Sequence, residues 1–418
     1  MTSPRRAPGG FPVVGIIGGG QLPRMCQPPS VGLSITLSVL AESVEAPAAL
    51  VVPSAPVGDD TDVEVVRAFA RECDVVTFDH EQVQAEVLAA LEADGVILHP
   101  SPAALMFARD KLAMRRRLTE IGVACPRWAQ VRDMASLQSF GDEVGWPVVV
   151  KIPEGWYDGK GVRVVGGPEE VADWFARVSL DGAEGAGALA DGRLADDRPV
   201  DGVLVDGLLA EQKVDVIREL AVLVARSPSG QASSWAVVET VRTDGVCTQV
   251  LAPAPGLDPN LAAVATEAGL RIAGELGVTG VMAVEMFEVT DARTGDPAYV
   301  VNDLAMRPHI SGHWSIDGAV TSQFEQHLRA VLDLPLGDTG LRARWTVMGN
   351  VRGGDHGDLY PAYRHLMARD PALKIHLYGK GVRPGRTIGH VNISGADLDD
   401  LRARASHSSD YLQGVITQ

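Results

Sequence analysis

The chain has little cysteine, no long apolar run and a shortage of basic charge. Its four cysteines, Cys26, Cys73, Cys125 and Cys247, lie scattered along 418 residues. They lack the spacing of a metal site or a disulfide framework, so reduced thiols in a cytoplasmic protein are expected. No apolar stretch reaches the ~18 residues of a membrane span. The apolar segment 11–17 is too short for a signal-peptide core and runs into a glycine turn. Lys and Arg number 37 against 54 Asp and Glu, a formal net charge of −17. That balance argues against general nucleic-acid binding. A small anionic substrate would need basic residues gathered locally.

What is present is the patterning of a soluble α/β protein. Residues 12–17 read as a buried strand and lead into Gly18-Gly19-Gly20-Gln21-Leu22. Strand patterns at 34–40, 75–78 and 96–98 alternate with helical patterns at 61–71 and 85–93, which predicts a parallel layer. Ser101 and Pro102 open a helix expected to run through Lys111 and the Arg115-Arg116-Arg117 cluster to about Glu120. Strand 147–151 ends in Lys151, followed by a glycine-punctuated loop at 154–161 and a hairpin partner at 162–165. Residues 181–201, rich in Gly, Ala and Asp, read as a surface excursion. Further strands are expected at 202–212, 220–225 and 236–241, and helices at 260–276 and 322–332. Residues 345–391 read as short strands and turns.

Several residues carry chemistry. The Gly18-Gly19-Gly20 turn is a poor dinucleotide fingerprint, because Pro23 holds the third glycine position and no convincing ribose-binding acid closes the second strand, Glu42 being the only nearby candidate. A helix N-terminus there can still hold a phosphate or ribose, although Pro28 and Pro29 are expected to end that helix early. Lys151, at a strand end beside a glycine-rich loop, suits a nucleotide phosphate, or is merely an exposed strand-end lysine. Glu211 and Glu219 either accept from ribose hydroxyls or stay solvated. Glu285 and Asp303 each place a carboxylate on an apolar strand pattern, which is costly without a cation. With the amide of Asn302 they suit Mg2+ on a polyphosphate; the alternative is an ion-pair network. His309 and His313 flank a glycine, which argues against a helical zinc pair. Arg307 and His309 read as facing an anion. Lys380, Arg383 and Arg386 gather in a turn-rich stretch that suits phosphate or is a solvated loop.

In this order, the runs 18–22, 73–78, 100–102, 157–161, 218–222, 283–287, 311–314, 323–329 and 383–386 resemble the ATP-grasp ligases. Among these they resemble the N5-carboxyaminoimidazole ribonucleotide synthetases of purine biosynthesis, over nearly the whole chain. The resemblance implies an α/β protein of three domains. These are an N-terminal Rossmann-like domain of the biotin-carboxylase type (1–125), a small lid (126–205) and a large ATP-grasp domain with a C-terminal β subdomain (206–418). It implies ATP with Mg2+, or Mn2+ in its place, and bicarbonate activated as carboxyphosphate. It further implies a small amine as acceptor, 5-aminoimidazole ribonucleotide first, and a homodimer with neither nucleic acid nor membrane as partner. Lys111, Lys151, Glu211, Glu219 and Asn302 would then bind ATP, and Glu285 and Asp303 the metal. Tyr157, Asp158, Lys160 and Arg307 would serve catalysis. Gln21, Asp79, Glu81, His309, Lys380, Arg383 and Arg386 would enclose the ribonucleotide. The chain departs from the family pattern at Glu154, Trp156, Asp303, Ile310, Thr387 and the Asp79-His80-Glu81-Gln82 run. Those departures leave open a different amine, or nucleotide binding without turnover.

Overall fold

The computed structural model describes residues 6–154, 161–176, 207–243, 245–355 and 357–416. The expected loop residues Tyr157, Asp158 and Lys160, with Trp156 and the 181–201 excursion, lie outside them. Two compact units divide the chain. One comprises Met1–Ala104, Arg218–Glu285 and Leu304–Gln418; the other comprises Leu105–Ile217 and Met286–Asp303.

In the first unit, the apolar runs near the N-terminus form a parallel sheet. Val13–Ile17 is central, between Thr36–Leu40 and Val75–Phe78. Continuous rather than alternating hydrophobicity suits strands buried on both faces. Residues 96–98, expected as a strand, contribute only the isolated bridge between Leu98 and Val76. Helix Val63–Ala70 is fixed by Asp62, whose carboxylate accepts from the Glu64 and Val65 amides. Helix Gln323–Val331, capped by Ser322, buries Phe324, Leu328 and Val331 against Val14, Ile16 and Leu37. A helix from far along the chain thus completes the N-terminal core.

Helix Gln21–Gly32 corrects one expectation: it passes through Pro28 and Pro29. The two missing amide donors would have served the Arg24 and Met25 carbonyls. Proline's own φ is helical. The Ser30 hydroxyl donates to the Gln27 carbonyl at 2.7 Å, and the Leu33 amide closes the helix on the Pro29 carbonyl at 3.0 Å.

The same unit holds a larger, mostly antiparallel sheet in the order Gly280–Thr290, Arg218–Arg226, Val238–Thr243, Val246–Ala252, Trp345–Arg352, Thr387–Gly395 and Lys374–Leu377. Ala232–Ser234 pairs with Arg218–Arg226. Helix Leu398–Gln413 covers one face with Leu401, Ala405 and Leu412 on Val347, Val391 and Ile393. The stretch expected as short strands and turns also contains helix Tyr360–Arg369.

The second unit holds a four-stranded antiparallel sheet in the order Trp128–Val131, Leu208–Gln212, Val148–Lys151 and Val162–Val165. The single helix expected from Ser101 to Glu120 is two, Pro102–Arg109 and Lys111–Glu120. Asp110 is the break. Its Oδ1 accepts from the Leu112 and Ala113 amides at 2.7 and 3.0 Å, capping the second helix. No helix among the described residues is long and apolar enough to cross a membrane.

Candidate active site

In the second unit, helix Lys111–Glu120, strands Val148–Lys151 and Leu208–Gln212, and residues 302 and 303 of strand Pro297–Ala305 assemble a charge cluster. Lys151 and Glu211 lie on paired strands, with Lys151 opposite Leu209 and Glu211 opposite Val149. They are therefore diagonal neighbours on one face. Lys151 Nζ stands 2.8 Å from Glu211 Oε2 and donates to Asn302 Oδ1 at 3.0 Å. Arg115, fully buried, donates from Nε to Glu211 Oε1 at 2.5 Å and from Nη2 to the Asn302 carbonyl at 2.6 Å. One turn earlier on the same helix face, Lys111 Nζ pairs with Asp303 Oδ2. Among the described residues, three cations thus meet two carboxylates in this cluster.

The sequence points to Lys111, Lys151, Glu211 and Asn302 for the nucleotide and Asp303 for the metal, but does not single out Arg115. The signal was the four-residue step from Lys111 on a face shared with Leu118. Glu211 is committed to its two cations rather than solvated. Burial alone would raise its pKa, but Arg115 and then Lys151 outweigh burial and hold it below the ordinary 4.5. Burial pushes the Lys151 ammonium below its usual value, against the pull of Glu211.

A depressed carboxylate stabilises the fold fully above its unfolded pKa and less as pH falls through the folded one. Acid unfolding that involves this cluster is therefore expected to begin as pH drops below about 4.5. Glu211→Gln should flatten that slope in a pH series of urea melts; an unchanged slope would assign the acid sensitivity elsewhere.

In the first unit, the glycine turn is already occupied by the chain's own carboxylates. The Gly19 amide donates to Glu42 Oε2 at 3.1 Å and the Gly20 amide to Asp79 Oδ2 at 2.7 Å. The donors expected to greet a phosphate or ribose are spent internally. Burial raises the Asp79 pKa, opposed by His80, Arg307 and the Gly20 amide. A Cβ at Gly20 would sit 2.1 Å from Asp79 Oδ2, the atom that this residue's own amide holds. Gly20→Ala should therefore break that bond and destabilise the protein by about 1–3 kcal/mol. Denaturant titration measures this, and a loss well under that range would mean that Asp79 is free to move.

Glu81, buried, accepts from Arg307 Nε at 2.9 Å and from the Met306 amide at 3.2 Å, so it aims Arg307. His309 Nδ1 lies 2.8 Å from Ser311 Oγ, and its Nε2 lies 3.4 Å from Glu285. His313 is buried, hydrogen-bonded to Gln323 Nε2 at 2.8 Å, and kept neutral because burial lowers its pKa. Gln21 opens its helix half-buried, and the turn-rich stretch carries Lys380 near the Tyr378 ring with Arg383 and Arg386 exposed. Arg24 donates to the Pro47 carbonyl at 2.9 Å and lies against Gly379. Glu219 and Glu285 both contact Arg242, another residue the sequence does not single out.

Sequence comparison shows what this arrangement is related to. The chain is 47% identical over 404 residues, 96% of its length and 88% of the relative's, to the N5-carboxyaminoimidazole ribonucleotide synthase of Mycobacterium tuberculosis. The chain belongs to that family. Residues 12–109 match the ribonucleotide synthetase preATP-grasp domain, 116–324 the ATP-grasp domain, and 346–404 the phosphoribosylaminoimidazole carboxylase C-terminal domain. The family's Thermus thermophilus synthetase superposes with a TM-score of 0.78 at 31% identity, covering 97% of this chain and 99% of that one. The Aspergillus clavatus enzyme, crystallised with ADP and 5-aminoimidazole ribonucleotide, gives 0.79 at 27% identity, covering 97% and 99%. The α/β ATP-grasp architecture expected from the sequence is thus the observed one.

The departures from the family pattern have local accommodations. Ile310 packs against the core cluster of Ala221, Leu223 and Trp314. Thr387 Oγ1 lies 3.5 Å from Asn350 Nδ2. Asp303 is reached by Lys111. Glu154 is exposed.

Proposed function

We propose that the chain is an ATP-dependent carbon–nitrogen ligase. It activates bicarbonate as carboxyphosphate and carboxylates the amine of 5-aminoimidazole ribonucleotide. The observation that carries this reading is the gathering of Lys111, Arg115 and Lys151 around Glu211 and Asp303 in a member of this family. Lys151, fixed between Glu211 and Asn302, presents its ammonium to ATP phosphates, with Lys111 beside it. Glu219 lies on the ribose side.

The donor set fits Mg2+. Mg2+ takes oxygen ligands and usually keeps several from phosphates and water. Glu285 and Asp303 are only partly buried and offer hard carboxylate oxygens, with the Asn302 amide adjacent in sequence to Asp303. The family resemblance assigns Glu285 and Asp303 to the ion, which offsets polyphosphate charge when bound.

Gln21, Asp79, Glu81, His309, Lys380, Arg383 and Arg386 are assigned to the ribonucleotide, and Arg307, held by Glu81, to the reacting groups. Tyr157, Asp158 and Lys160 are assigned to bicarbonate and the amine. A lid within 126–205 excludes water from the acyl phosphate. The family resemblance further implies a cytoplasmic homodimer, for which sedimentation is the direct check of oligomeric state.

Phosphate release should require ATP, Mg2+, bicarbonate and 5-aminoimidazole ribonucleotide together. Equal turnover with another amine in its place would reassign the acceptor. Bicarbonate-independent turnover would remove the carboxylation step.

A further inference from the structure

Strand Val238–Thr243 carries an arginine placed where a cation is wanted. Thr240 pairs directly with Glu219 on strand Arg218–Arg226, so their side chains share a face, and Arg242 is the next residue on it. The hairpin to Val246–Ala252 shifts register between Val241 and Arg242, a bulge of the kind that re-aims a side chain. Arg242 Nε donates to Glu219 Oε2 at 2.5 Å, Nη2 to Glu285 Oε1 at 3.3 Å, and Nη1 to the Gly245 carbonyl at 3.2 Å. The guanidinium therefore bridges the two carboxylates, tightly at Glu219 and loosely at Glu285.

We infer that Arg242 is an internal counter-cation of the metal carboxylate: it neutralises Glu285 in the metal-free protein and competes with the divalent ion for it. The inference rests on Glu285 being a metal ligand, as proposed above. The geometry gives the exchange a direction. The short Glu219 contact anchors the guanidinium while the longer Nη2 contact is the one to yield, so Glu285 is freed without Arg242 leaving the site. Without nucleotide the ion must overcome this arginine, so free metal binds weakly. Metal delivered with a polyphosphate brings the extra ligands and charge that make the exchange favourable. Arg242 is thus a positioning residue that tunes metal affinity.

The test is equilibrium binding of Mn2+ to the full chain without nucleotide, followed by electron paramagnetic resonance, with ADP-supplemented samples in parallel. Arg242→Gln removes the competing charge and should tighten Mn2+ binding about tenfold. Arg242→Lys, with a single compact head that cannot bridge both carboxylates, should fall between and guards against misfolding of the Gln variant. Equal or weaker Mn2+ binding by both variants, with binding by the unmodified chain intact, would overturn the counter-cation role alone. Absence of Mn2+ binding by every form, ADP present or not, would overturn the metal reading and the inference with it.

Discussion

Arg115→Met is expected to cost about 3–5 kcal/mol of stability, because it breaks a buried ion pair from one side. Arg115 is fully buried, and its fork serves two acceptors, Glu211 Oε1 and the Asn302 carbonyl. Removing it leaves Glu211 with Lys151 alone and strips the Asn302 carbonyl of this donor. Lysine at the same position keeps the charge but not the two-pronged reach, so Arg115→Lys should recover only part of the loss. Urea melts measure the cost. ATP turnover should fall in parallel, since the same guanidinium holds Glu211 and Asn302, the two partners of Lys151, the lysine proposed for the ATP phosphates. A Met variant within about 1 kcal/mol of the original protein would show that the pair had merely offset its own desolvation.

Lys151→Met should separate catalysis from stability. Burial already lowers the Lys151 pKa, so its charge is held in the fold at a cost. Glu211 keeps Arg115 when Lys151 is removed. The stability change is therefore expected to be small, whereas bicarbonate-dependent phosphate release should fall about 10²–10³-fold, the scale for deleting a preorganised electrostatic contact. Thermal melts and steady-state rates on one preparation decide the matter. A variant that loses stability and rate together would make Lys151 a structural partner of Glu211.

Much of the fold was legible because apolar runs sit between turn signals. Strands Val75–Phe78 and Val162–Val165 and helix Ala85–Ala93 lie where the pattern puts them. Helix 101–120 was read as one because its apolar period continues through Asp110, while that side chain's capping bonds end one helix and begin the next. Pro28 and Pro29 were read as a stop, yet proline's own φ is helical and the helix runs on to Gly32.

A charged residue that interrupts an apolar strand stands out in the sequence, as at Lys151, Glu285 and Asp303, and each is ion-paired in the structure. The candidate site was not legible where function depends on pairing across the chain. Which of the three arginines at 115–117 turns inward is set by the phase of Leu112 and Leu118, and its partner Glu211 comes from a distant strand. Arg242 is aimed by a bulge in a hairpin whose second strand was not expected. The glycine turn looked like a phosphate site because its sequence does not reveal that Glu42 and Asp79 reach its amides.

The central claim, passage through carboxyphosphate, has a direct isotopic consequence. Phosphoryl transfer joins a bicarbonate oxygen to the γ-phosphorus and releases ADP. Attack by the amine nitrogen on the carbonyl carbon then breaks the bond from carbon to that oxygen, which leaves with phosphate. With 18O-labelled bicarbonate, ATP and 5-aminoimidazole ribonucleotide, the released phosphate is expected to carry one label per turnover. Unlabelled phosphate formed at the same rate would contradict the account.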